Sequence, residues 1–212
     1  MSTMERCFIT ERPEYAGTHA EKLAMHRACA AHALWAVRYG GFSSRAWLEC
    51  PRPDWLADCI ALGADYSLGS PSHRRLVAAL CQGAAIALER SGITDPRPGT
   101  AIRVALEWAE GHADLEQVVK ANTQIAGLTG EGMGKVAVLS RGEQLSENQE
   151  AAMLLEFGAT SGAHFASLTV MSGAAAMTAA LAISLALTGS SECHELATII
   201  RRWFPQPPEE VR

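Results

Sequence analysis

The chain is short of lysine, of aromatic side chains and of charge. Lysine occurs only at Lys22, Lys120 and Lys135, so arginine carries most of the positive charge. Lys and Arg number 18 against 23 Asp and Glu in 212 residues, a net charge of −5. No sequence-wide basic field exists to hold nucleic acid. Aromatics make up 6%, which leaves few rings for stacking bases. The six cysteines, Cys7, Cys29, Cys50, Cys59, Cys81 and Cys193, form no CxxC pair. They read as small buried thiols in a reducing compartment rather than a disulfide framework. The opening stretch MSTMERCFITERPEY holds Glu5, Arg6, Glu11 and Arg12 and has no apolar centre, so it does not read as a secretory signal. A cytoplasmic location is expected.

Apolar residues are plentiful at 48%, enough for one packed domain. Their spacing is helical. Thr18 caps a first helix running to Gly40-Gly41, with Leu23, His26, Ala30, Ala33, Leu34 and Val37 on one face. A second helix starts near Pro53 with Trp55, Leu56, Cys59, Ile60 and Leu62. Ser70-Pro71 is a cap followed by proline in the first turn, and Gly92 stops the helix it opens. The next helix has Pro98 near its start and Gly111 at its end, and Asp114 opens another. Residues 127–146, with five glycines, read as a mobile loop with a short strand at KVAVL. Helices resume at Glu147. The last runs near 191–203, and 205–212 reads as a flexible tail. Short connections between amphipathic helices predict an all-α, single-domain antiparallel bundle of about seven or eight helices over 1–204.

No Asp, Glu, Lys or Arg occurs from Phe157 to Ser191. Ala163 to Leu187 is long enough to span a bilayer, which takes about 20 residues. It is rich in Ala, Ser, Thr and Gly and lacks aromatic or basic flanks. A buried core helix is the expected reading, and a membrane span the alternative. Small residues such as Gly173, Ala174, Ala175 and Ala176 suit close helix contacts.

Complete chemical motifs are lacking. GEGMGK at 130–135 is one residue short of a phosphate loop, and Val136 stands where a Mg²⁺-binding hydroxyl belongs. His26, Cys29, His32 and His164 are candidate metal ligands. His26 and His32, six residues apart, cannot share an ion through one helix face. A set completed by Glu192, Cys193, His194 or Glu195 would be needed. Ser161–His164 and Ser191–His194 lack a nucleophile elbow and an orienting acid. Arg74-Arg75 reads as a solvated or ion-paired face before it reads as a phosphate site. No catalytic residue and no cofactor is assigned.

Two segments carry a family resemblance. DWLADCIALGADYSLGSPSHRRLVAALCQGAAIAL covers 54–88, and DPRPGTAIRVALEWAEGHADLEQVVKA covers 95–121. The pattern Arg97, Pro98, Ala101, Ile102, Ala105, Trp108 and Gly111 resembles the helical immunity proteins of bacterial polymorphic toxin systems, and Gly162-Ala163-His164 echoes a later step of that pattern. On residue chemistry alone, Pro98 fixes a first turn, Ile102 and Trp108 share an apolar face with Ala101 and Ala105, and Gly111 is a cap. The resemblance implies a non-catalytic protein that neutralises a cognate toxin by stoichiometric binding. Asp54, Asp58, Asp65, Glu107, Glu110, Asp114 and Glu116 are the acids on the two segments that could face a basic partner. The alternatives are a small all-α enzyme or ligand binder with an inter-helical pocket near His164 and His32, and a membrane-associated protein built on 163–187. A homo-oligomer is left open; a nucleic-acid partner is not expected.

Overall fold

A computed structural model describes residues 44–61, 63, 65–139 and 146–208. Among them are eight helices and no strand: α1 Ser44–Glu49, α2 Pro53–Ala61, α3 Pro71–Ser91, α4 Pro96–Glu110, α5 Leu115–Leu139, α6 Glu147–Leu168, α7 Ala175–Thr188 and α8 His194–Trp203. The fold is an all-α bundle. The expected helix from Thr18 to Gly40, with His26, Cys29 and His32, lies outside the described residues.

Local chemistry sets most helix ends. The Ser70 hydroxyl accepts the His73 N–H, Pro71 fills the first turn of α3, and Gly92 ends it with φ 67°. Asp95 caps α4 through the Arg97 N–H, and Gly111 closes it with φ 87°. Asp114 and Gln117 cap each other's backbone N–H at 2.9 and 2.8 Å to start α5. Ser146 and Gln149 form a reciprocal capping pair at α6. Each such cap satisfies an otherwise orphaned N–H.

The core runs through all these helices. Trp47, Leu56, Ile60, Leu76, Leu80, Ile125, Ile183, Leu196 and Ile200 are its largest fully buried apolar side chains. Helix α3 packs on α4, α6, α7 and α8; α6 packs on α3, α4, α5 and α7. The predicted apolar face of α4 is in the core: Pro98, Ala101, Ile102, Ala105 and Trp108 are all buried. Cys50, Cys59, Cys81 and Cys193 are buried free thiols.

Three expectations are corrected. Residues 127–139 are not a loop but the second half of α5. Glycine in a helix interior costs about 1 kcal/mol relative to alanine, and packing against α6 offsets it. A Cβ at Gly132 would lie 3.0 Å from Phe157 Cδ2, so the absence of one lets the two helices close up. The phosphate-loop reading of 130–135 falls with the loop.

Residues 163–187 are not one helix. The chain leaves α6 at Leu168, turns through 169–174 and returns as α7. Turn bonds from Thr169 N–H to Phe165 O and from Ser172 N–H to Leu168 O end the helix. Gly173 in the turn accommodates Tyr66, whose hydroxyl would stand 2.7 Å from an added Cβ. The two helices then pack backbone to backbone: a Cβ at Gly158 would meet Ala186 N at 2.8 Å and Ala182 O at 2.9 Å. Small residues do bring the two helices together, but at Gly158, Ala182 and Ala186, whereas Gly173 of the expected set lies in the turn and Ala174 is exposed. Among the described residues no helix is long and apolar enough to cross a membrane.

The first part of the tail is docked. Pro207 and Pro208 are half-buried, with Pro208 against Gly63, and the Phe204 carbonyl before them accepts the Trp47 indole N–H at 2.9 Å.

Candidate functional site

The turn between α4 and α5 gathers most of the exposed acids that sequence pointed to. Glu107 is half-exposed and meets Arg103 at 2.7 Å. Its backbone carbonyl takes the His112 N–H that closes the helix. Glu110 is exposed and lies 3.5 Å from His112 Nδ1. Asp114 caps α5, and Glu116 is exposed in its first turn. No basic residue occupies the last turn of α4. Two carboxylates therefore sit at the helix end whose dipole is negative, where acids are disfavoured.

The same corner exposes apolar surface. Leu115 is 52% and Val119 42% exposed, four residues apart on one face of α5. Large apolar side chains this open, with carboxylates on either side, form an apolar centre with a charged rim.

The other three predicted acids are elsewhere and do different work. Asp54 is buried, contrary to the expected solvent-facing role. Arg52 closes on its carboxylate with hydrogen bonds of 2.9 and 2.6 Å and stacks 4.6 Å above Trp55. Asp58, one turn on, is half-buried. Burial, then the Asp54 charge, pushes its carboxyl up to about 6. Asp65 accepts the Ser72 hydroxyl at the foot of α3.

The arginine pair at 74–75 is structural. The Arg74 guanidinium lies 4.7 Å above Trp108, donates to the Trp108 carbonyl at 2.6 Å and reaches the Gly69 carbonyl at 3.3 Å. Arg75 lies 5.0 Å above Phe204 and bonds Ser72 Oγ. Arg97 folds onto Asp95 at 2.7 Å.

Sequence reasoning passed over His73. It is fully buried, edge-on to Tyr66 at 5.3 Å and to Trp108 at 5.1 Å, and both ring nitrogens are hydrogen-bonded. One contact, to Thr169, crosses 96 positions. The only local sign is a histidine two residues after the Ser70-Pro71 helix start.

No family model, curated protein or solved structure matches the chain. The site is therefore read from its own geometry. A cleft of about 490 Å³ lies between the 91–95 connection, α5 and α6, with Ile93, Leu128, Met153 and Phe157 inside and Asp95, Glu131 and Glu156 among its lining. His164 is not part of that lining. It stacks 5.1 Å from Phe165 on α6, and burial lowers its proton affinity. Among the described residues His164 Nδ1 and Ser161 Oγ have no hydrogen-bond partner, so the two are not bonded to each other as nucleophile and base. Near its main chain, Asn122 joins α5 to α6 by donating to His164 O and Ser167 Oγ at 3.0 and 2.7 Å. Among the described residues no group of three His, Cys, Asp or Glu side chains could hold a metal ion. Cys193 is buried, whereas His194 and Glu195 point outward and Glu195 pairs with Arg90 at 2.9 Å.

Proposed function

We propose that this chain is a cytoplasmic, non-catalytic binding protein of the bacterial immunity type, which neutralises a basic toxin by stoichiometric capture. The α4–α5 corner would be its contact surface. One observation carries the reading: Leu115 and Val119 are exposed together among Glu110, Asp114 and Glu116. An apolar centre supplies affinity once it is desolvated, and a charged rim steers the partner and sets register. Placing acids at the negative end of α4 lowers stability slightly, so a use outside the fold accounts for them better than stability does. The same charges oppose self-association through this corner.

Co-expression with any toxin found encoded beside this gene tests the reading. Growth should be rescued and the pair should co-purify in a one-to-one ratio. Exposed charges act within about 8 Å at physiological ionic strength, so association should slow as salt rises. Absence of a neighbouring toxin, together with no captured partner, contradicts the reading. The 490 Å³ cleft, which falls in the size range of small-ligand sites, favours the second reading, a ligand-binding protein. A small molecule retained through purification and displaced by Phe157→Trp would support it.

A further inference from the structure

We propose that His73 is a pH-operated latch: neutral, it ties the α2–α3 loop to the α6–α7 turn, and protonated, it releases both. The ring occupies the third position of α3 and is fully buried. Its Nδ1 accepts the Gly69 N–H at 2.7 Å, and its Nε2–H donates to the Thr169 carbonyl at 2.7 Å. Those partners admit one state only, the neutral Nε2–H tautomer. A second proton on Nδ1 would face the Gly69 N–H, and the bond that holds the loop would become a repulsion.

The surroundings offer the imidazolium no compensation. The positive end of the α3 dipole lies at the third residue of that helix. On the same helix Arg74 is next in sequence and Arg75 follows. The loop brings Asp65, already engaged by Ser72, and Tyr66, whose hydroxyl burial pushes up to about 12. Helix α4 brings Trp108, while Glu107 and Glu110 near its end are directed to Arg103 and His112. The segment 165–175 has no ionisable side chain. No carboxylate hydrogen-bonds to the ring among the described residues.

Burial, reinforced by the Arg74 charge, lowers the proton affinity of His73 against the opposing hydrogen bond to Thr169. An opened loop restores the ordinary histidine value of about 6.5. The closed state therefore binds fewer protons than the open one. Closure is at full strength above about pH 6.5 and weakens as pH falls below it. Opening would uncouple the 66–70 loop from the 169–174 turn and remove the edge contacts of Tyr66 and Trp108 on the ring. Asp58 on α2 titrates in an overlapping range, so the readout has to be site-resolved.

Amide hydrogen exchange on the full chain between pH 8 and pH 5, corrected for intrinsic rates, provides it. Protection of the Gly69 amide should fall by up to about tenfold per pH unit once the pH is below about 6.5, while amides of α7 hold theirs. His73→Gln should leave 66–70 poorly protected at every pH. If that variant does not fold, the imidazole ¹⁵N shifts of the unaltered protein decide, by showing the Nε2–H tautomer at pH 8 and titration below the ordinary value. Gly69 protection that is flat down to pH 5, equal pH dependence in His73→Gln, or ordinary titration of the His73 ring would each overturn the latch. None of these readouts needs the partner, so their failure leaves the capture reading standing.

Discussion

At Trp108 three kinds of contact meet: core packing against the α4 face, the edge of His73 at 5.1 Å and the Arg74 guanidinium at 4.7 Å. Trp108→Ala should destabilise the fold by about 3–5 kcal/mol, as emptying a buried aromatic site usually does. A melting temperature within a degree of the unaltered protein would contradict this. Asp58 gives a prediction of opposite character. Its folded carboxyl, raised to about 6, takes up a proton before the unfolded one does. It therefore detracts from stability above pH 6, and the loss is recovered as pH falls toward 4. Asp58→Asn should stabilise the protein by roughly 2 kcal/mol at pH 8, with the gain shrinking across that window in denaturant titrations. A gain independent of pH would show that the carboxyl titrates normally.

Helix ends and helix interiors differ in how far the chain announces them. Ser70, Pro71, Gly92, Gly111 and Asp114 act within one turn, so caps and stops were legible as local chemistry. The second half of α5 was not, because its glycines read locally as a loop, and only the tertiary contact of Phe157 of α6 with Gly132 shows why one of them suits a helix there. The 169–174 turn was hidden for a related reason: no proline marks it, and Gly173 is selected by Tyr66, more than 100 positions away. Two substitutions separate these roles. Gly127 lies in α5 with nothing within 4 Å of an added Cβ, so Gly127→Ala should stabilise by about 0.5–1 kcal/mol. Gly158 faces the α7 backbone at 2.8 Å, so Gly158→Ala should cost about 1–3 kcal/mol through overpacking. Thermal melts check both, and equal effects would mean that α5 or the α6–α7 contact is misplaced.

For the molecule as a whole, seven acids looked alike in sequence and proved unlike in space. Asp54 is consumed by Arg52 inside the fold, Asp58 is half-buried on α2, Asp65 is exposed but engaged by Ser72, and Glu107, Glu110, Asp114 and Glu116 collect at the corner that holds Leu115 and Val119. Exposure depends on how helices dock, which a single sequence pattern does not report. The most direct measurement is the association rate with the proposed basic toxin partner, once co-expression has identified it, taken for the unaltered protein, for Glu110→Lys with Glu116→Lys, and for Leu115→Ser with Val119→Ser, in low and physiological salt. The charge pair should slow association by about tenfold or more at low salt and much less at physiological salt. The apolar pair should speed dissociation with association nearly unchanged, and both variants should melt with the unaltered protein. Binding that both variants retain in full would remove the α4–α5 corner as the contact surface, and with it the central claim.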